Sequence, residues 1–406
     1  MSLMITILIL LVVSRIGGEI SERFGQPAMI GEIFAGILLG PSLLNFIHIT
    51  PELTTIANLG VLMIVLLMGF EINIVDVGDG FRGRNIWISL IVFFIPLITG
   101  IAVGIIFLLD VMRIIFIGLC MSITAISLNA QILSGLGKEK SFIGKKIISV
   151  SLANTVLALL MLGVILGVDN SEMEKLNFDI SIFITLGKVV LFIVGVYVGS
   201  RLIRFAIRFL YVPNYTVLLI LSKLKGKESL FAITLLFIML FVAFSEFIGF
   251  HFIIGTFFGA LLINEDVMGK KNYEQIQTTA SGITMGFLAP IFFSTIGLQF
   301  DISKLFNWQL LSLIIVAAIL SKIISGYIGG LLAGMNSEDS LTLGIGVNGR
   351  GVIQIVIVNI ALSNGFIASR LFSMLVLMGM FTTIITPPLL KRAFKLKNKE
   401  ILSRNA

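Results

Sequence analysis

Apolar runs of roughly 20 residues recur from one end of this chain to the other, and they decide what it can fold into. A run of that length crosses the hydrocarbon core of a bilayer as one α-helix. Composition agrees: 57% of the 406 residues are hydrophobic and 13% are charged, where soluble domains carry roughly 25% charged residues. A soluble core cannot bury so many helices that are apolar on every side. The expected fold is therefore an all-α polytopic membrane protein with about thirteen transmembrane segments. They fall near 2–16, 27–44, 53–72, 86–109, 112–136, 143–168, 180–210, 228–249, 251–264, 278–299, 307–335, 340–363 and 367–393. The first run has no basic stretch before it and no small-residue cleavage site after it, so it reads as a retained helix. Residues 1–394 form a single transmembrane unit, leaving 395–406 as a short basic tail and no room for a sizeable soluble domain.

The net charge of +7 is explained by where the cations lie. An odd number of segments puts the termini on opposite faces. With the C-terminus inside, the inner loops and helix ends hold Arg15, Arg23, Arg82, Arg84, Lys138, Lys140, Lys145 and Lys146. They also hold Arg201, Arg204, Arg208, Lys223, Lys225, Lys227, Lys270, Lys271 and the basic tail. Only Lys175, Lys304 and Arg370 remain outside, with Arg113 at a boundary. The positive-inside rule then places the N-terminus out and the C-terminus in the cytoplasm, with the protein in the cell membrane. The basic charge is an orientation signal, not a nucleic-acid patch, and the lipid bilayer is the partner it implies. A single cysteine, Cys120, excludes an internal disulfide. No catalytic set, resident metal or cofactor is expected.

Two segments break the apolar pattern in the same way. The fifth contains Ser122, Thr124, Ser127, Asn129 and Gln131; the twelfth contains Gly344, Gly346, Asn348, Gly349, Arg350, Gly351 and Gln354. They occupy corresponding places in two halves of opposite direction. Interrupted helices at matched places in inverted halves point to a midplane transport site. Glycine-mediated helix packing accounts for the small residues but not for Thr124, Ser127, Asn129, Asn348 and Arg350. Charge inside the membrane is expensive and marks function. Lys322 lies in the middle of the eleventh segment and Arg350 in the twelfth, whereas Lys188 is near enough to a face to snorkel. Glu32 and Glu246 are the only intramembrane carboxylates, and each reads more readily as interfacial. His251 reads as a residue at a loop end.

Several stretches resemble the monovalent cation:proton antiporter-2 family, the bacterial sodium/proton exchanger type. Ile30-Gly-Glu-Ile-Phe-Ala-Gly-Ile-Leu-Leu-Gly-Pro-Ser42 looks like its second-helix signature, and Leu67-Met-Gly-Phe-Glu-Ile-Asn73 like the end of its third helix. Gly249–Ala260 and Pro290–Leu298 match two further blocks. Asn348-Gly-Arg-Gly-Val352 is similar to its Arg-Gly-Glu block, with Val352 in place of Glu. The resemblance is colinear over about residues 5–393. It implies the sodium/proton antiporter fold, with inverted repeats and the fifth and twelfth segments crossing as interrupted helices. It also implies interleaved core and dimerisation subdomains, a homodimer, and a core that moves like an elevator. Its partners are protons and a small transported ion or solute.

The resemblance places an Asp-Asp or Asn-Asp pair on the sixth segment, partnered by a lysine that Lys322 matches. Here the pair is Asn154-Thr155, and neither side chain titrates. A dehydrated cation needs oxygens to replace its water, and a proton exchanger needs a group that gains and loses a proton. The candidate site is therefore Asn154, Thr155, Thr124, Ser127, Asn129, Lys322 and Arg350, with Lys322 an unpaired buried amine and the proton carrier. Three readings follow. The chain exchanges protons for an anionic or zwitterionic solute; or it exchanges Na⁺ or K⁺ using neutral oxygens and a displaced carboxylate such as Glu246; or it is a non-transporting membrane protein that binds or regulates.

Overall fold

In lipid, every backbone N–H and C=O must find its partner inside the segment, which leaves the helix as the local solution for an apolar run. The computed structural model describes residues 2–72, 79–167, 227–305 and 307–404, with a few more between 187 and 201; side chains are described to residue 395, apart from those of 227, 266, 267 and 304. Helix α1 is Leu3–Arg23, α2 Ala28–Leu39, α3 Pro51–Phe70 and α4 Asn85–Ile106. Helices α5 (Val111–Ser122) and α6 (Ile126–Gly135) are two parts of one interrupted segment, and α7 is Phe142–Gly167. Then come α8 (Lys227–Ile248) and α9 (Phe252–Leu261). A π-helical turn, Thr284–Leu288, joins α10 (Lys270–Ile283) to α11 (Ala289–Gln299). The chain closes with α12 (Trp308–Leu332), α13 (Ser337–Gly346), α14 (Val352–Ser363) and α15 (Ser369–Arg404).

Among the described residues nine helices are long and apolar enough to cross a membrane, counting Val111–Gly135 through its interruption. Large apolar side chains such as Leu8, Leu240 and Phe247 are exposed on them, as lipid-facing residues are. Each expected segment but the seventh lies on one of the helices above. The seventh, 180–210, falls mostly outside the described residues. Three boundaries differ from the hydropathy reading. Helix α1 runs on to Arg23, α10 begins at Lys270 rather than near 278, and α15 continues through the basic tail to Arg404. In each case the added turns carry charged residues, which hydropathy scores as loop although a helix tolerates them where it leaves the lipid. His251 caps α9, its ring nitrogen accepting from the Ile253 N–H at 3.5 Å.

The chain divides into two compact units. One comprises Thr55–Ile74 and Leu159–Ala289. Its core is built on Met63, Leu66, Phe70, Leu230, Ile238, Ala260 and Ile276, and the Tyr273 hydroxyl donates to the Phe70 carbonyl. The other comprises Met1–Thr54, Val75–Ala158 and Pro290–Ala406. Ile88, Val92, Leu133, Ile147, Leu343, Val347 and Leu390 form a core within it.

That second unit contains an internal repeat. Helices α4–α7 and α12–α15 follow the same order, and their landmarks differ by one constant offset of 226 residues. The caps that begin α5 and α13 are Asp110 and Asn336, and those that begin α6 and α14 are Ala125 and Gly351; 336 less 110 and 351 less 125 both give 226. The closest helix approaches obey the same offset. A Cβ on Gly100 would lie 2.6 Å from the Gly118 Cα, and one on Gly326 would lie 2.4 Å from the Gly344 Cα. Each half thus packs its interrupted helix backbone to backbone against the preceding one, which only glycine at those positions allows.

Candidate functional site

Helix α5 stops at Ser122 because Ile123 and Ala125 are extended, with ψ of 146° and 127°. The β-branched Ile123 and Thr124 suit that conformation. Helix α13 stops at Gly346, and the stretch Val347-Asn-Gly-Arg-Gly351, with glycines on both sides of Arg350, separates it from α14. Glycine lowers helix propensity by about 1 kcal/mol relative to alanine. The two breaks touch: the Ala125 N–H donates to the Gly349 carbonyl at 2.8 Å. A Cβ on Gly351 would stand 2.8 Å from that of Ala125.

A helix leaves its last four carbonyls without intrahelical partners. At the broken end of α5 all four are satisfied, three of them by cations. The Ser122 hydroxyl donates to Leu119 O at 2.8 Å. Arg350 donates Nε to Cys120 O at 3.1 Å and Nη2 to Met121 O at 2.7 Å. Lys322 Nζ donates to Ser122 O at 2.5 Å, to Thr124 Oγ1 at 2.8 Å and to Val92 O at 3.1 Å. Both cations are fully buried. Lys322 thus places its three donors on neutral oxygens. Two positive groups at a helix C-terminus also complement its partial negative charge.

Thr124 is the hub of the site. Its hydroxyl oxygen receives Lys322 and, at 3.3 Å, Asn154 Nδ2; its carbonyl receives the Thr155 hydroxyl at 3.3 Å. Ser151, Asn154 and Thr155 share one face of α7 by their i, i+3, i+4 spacing. Asn129 joins them through Nδ2 to Ser151 Oγ at 3.0 Å. On the other break, Asn348 Nδ2 donates to Thr386 Oγ1 at 3.3 Å, and the Thr383 hydroxyl donates to the Arg350 carbonyl. Ser127 is half-buried on the first turn of α6. The polar breaks, the intramembrane charges and the resemblance therefore pointed to residues that the fold brings together, but Asn348 was left out of the candidate site and Ser151, Thr383, Thr386 and the carbonyls of α5 were missed. A helix-end carbonyl has no signature in the sequence. Ser151 was legible as the polar residue three before Asn154.

No carboxylate is bonded to Lys322 or Arg350 among the described residues; exposed ion pairs such as Arg23–Glu19 and Arg113–Asp110 lie elsewhere. Among the described side chains the buried carboxylates are Glu32 and Asp339, and Glu246 is exposed. Asn129 Oδ1, Asn154 Oδ1, Asn348 Oδ1 and Arg350 Nη1 are buried with no protein partner. Each such group costs about 1–3 kcal/mol. A cavity of about 640 Å³ approaches the crossing. Its wall includes Glu22, Gln26, Leu128, Gln131, Pro387 and Lys391, and Leu128 Cδ2 lies 3.1 Å from where a Gly349 Cβ would be.

The comparisons with known proteins agree with this architecture. Residues 7–395 match the family described as sodium/hydrogen exchanger, transmembrane. The chain is 27% identical to the Na⁺/H⁺-K⁺ antiporter GerN of Bacillus cereus, over 97% of this chain and 96% of that one. It is 26% identical to the Na⁺/H⁺ antiporter of Enterococcus hirae, over 94% of this chain and 96% of that one. The structure of the sodium proton antiporter MjNhaP1 from Methanocaldococcus jannaschii superposes with a TM-score of 0.68 at 16% identity, covering 96% of both chains, and so shares the fold. With its crossing, its buried lysine and a family match over nearly its whole length, the chain belongs to the transmembrane sodium/hydrogen exchanger family, whose members are membrane antiporters and not enzymes.

Proposed function

We propose that this protein is a proton-coupled antiporter of the plasma membrane whose cargo is not a bare alkali cation. The carrying observation is the fully buried Lys322 ammonium, held by three oxygens at the broken end of α5. It stands beside Asn154 and Thr155, where the resemblance leads one to expect an Asp-Asp or Asn-Asp pair. Lys322 carries the proton, and an anionic or zwitterionic solute replaces the cation. Its N-terminus lies outside and its C-terminus in the cytoplasm, so the cavity beside Glu22 and Lys391 opens inward. The two halves of the repeat lie inverted in the membrane, and the crossing moves with its surrounding core like an elevator, in a homodimer with interleaved core and dimerisation subdomains.

A second reading keeps Na⁺ or K⁺ exchange, as the names of the Bacillus cereus and Enterococcus hirae relatives suggest for those proteins. Three unpartnered amide oxygens at the crossing favour it. Proteoliposomes loaded with an internal pH dye and challenged with Na⁺, K⁺ and Li⁺ separate the two. The first reading expects no cation-dependent proton flux. A flux driven by any of the three ions would overturn it.

A further inference from the structure

We infer that the surface where α4 and α7 begin is a docking site for the headgroup of an anionic phospholipid. Such a site would serve whichever cargo the protein carries. Six cations stand in two short stretches of the sequence: Arg82, Arg84, Lys138, Lys140, Lys145 and Lys146. All belong to the unit that contains the repeat, and the fold brings the two stretches together. Lys146 Nζ donates to the Asn85 side chain, which ties the start of α7 to the start of α4. Asn85 in turn donates Nδ2 to the Asp79 carbonyl at 2.7 Å. Gly144, in the first turn of α7, packs directly on the Lys138 and Glu139 carbonyls. Arg84 donates Nη1 at 3.4 Å to the carbonyl of Ala333, the residue that ends α12.

Few acids answer these cations. Asp79 is close enough to act on Lys146, and Glu139 lies between Lys138 and Lys140. None of the six forms an ion pair among the described residues. The repeated backbone does not demand cations there. Moved on by 226 residues, the six positions hold Trp308, Leu310, Asn364, Phe366, Leu371 and Phe372. Two exposed aromatic rings stand beside the cations, Trp87 one turn after Arg84 and Phe142 one turn before Lys145. The Lys146 ammonium lies 5.4 Å from the centroid of the Phe142 ring, within the range of a cation–π contact. Exposed aromatic side chains near the ends of spanning helices sit at the level of the lipid headgroups. The cations are therefore held at the depth of lipid phosphates, which favours a headgroup over an anion from bulk water.

The chain has two tryptophans, one inside this patch and one, Trp308, at the place equivalent to Arg82 in the other half. Trp308→Phe and Trp87→Phe each leave one reporter in the purified full-length protein. Both are reconstituted in phosphatidylcholine vesicles with a minor fraction of bromine-labelled lipid, either phosphatidylglycerol or phosphatidylcholine. Bromine quenches tryptophan fluorescence at contact. Labelled phosphatidylglycerol should quench Trp87 more than labelled phosphatidylcholine does, and the two should quench Trp308 equally. Arg82→Gln, Lys140→Gln and Lys145→Gln change exposed side chains. Each should lower the preference at Trp87 by up to about fivefold, and the three together should abolish it. Equal quenching of Trp87 by the two lipids, or the same preference at Trp308, overturns the inference. So does a preference that survives the triple substitution. Displacement of the labelled lipid by millimolar inorganic phosphate would assign the patch to a soluble anion and overturn it as well. If a tryptophan variant fails to fold, native mass spectrometry of the wild type and the triple variant with the two unlabelled lipids decides. Retention of phosphatidylglycerol by the wild type alone supports the site, and equal retention by both proteins overturns it.

Discussion

The two halves of the repeat share a backbone and divide the chemistry. In α4–α7 the position equivalent to Lys322 is Pro96, and the position equivalent to Arg350 is Thr124, both 226 residues earlier. The first half therefore supplies the acceptors for those cations: the carbonyls of Val92, Cys120, Met121 and Ser122 and the Thr124 hydroxyl. The second half supplies both buried cations. Glycine pairs common to both halves hold the helices together, whereas function sits where the halves differ. In a chain of this kind, matched small residues report the fold and mismatched polar ones report the site.

The comparison can be broken most forcefully from the acceptor half. Thr155→Asp restores a carboxylate beside Thr124 and Lys322, and should turn a protein unresponsive to sodium into one that exchanges sodium for protons in liposomes. Continued silence towards sodium in that folded variant would show that the scaffold itself has diverged. Next come the glycine pairs. A Cβ on Gly344 would meet the Ile323 carbonyl oxygen at 2.4 Å, and one on Gly118 the Leu97 oxygen at 2.7 Å. Gly344→Ala and Gly118→Ala should each destabilise by about 1–3 kcal/mol, with Gly344→Ala the worse. Melting curves of the two variants check the order, and a neutral Gly118→Ala would deny the shared packing. Arg350→Lys keeps the charge but loses the fork that spans Cys120 O and Met121 O, at a cost of about 1–3 kcal/mol. A melting temperature equal to wild type would mean that charge alone caps α5. Ser151→Ala should have the smallest effect, about 1 kcal/mol, because it strands only the Asn129 Nδ2 donor.

Much of this was legible in the sequence because membranes impose simple rules. The run length near 20 residues gave the helices, and polar residues in the fifth and twelfth segments gave both breaks. Lys322 and Arg350 stood out because charge is rare at that depth, and both reach the same helix end. What stayed hidden was the identity of their partners. Those are mostly backbone carbonyls of α5, freed by the break at Ile123–Ala125, and no residue type announces them. Asn348 was noted as polar, but its bond to Thr386 depends on how α15 packs on the second break. Helix ends were misplaced at Arg23 and Lys270, where charged turns continue a helix past its apolar stretch.

The account stands on Lys322 as the proton-carrying group of a site with no carboxylate bonded to it among the described residues. The direct measurement is solute-driven proton flux in liposomes, wild type against Lys322→Ala, using a solute shown to bind. The account predicts flux in the wild type and none in a folded Lys322→Ala protein that still binds the solute. Undiminished proton flux in that variant would contradict it.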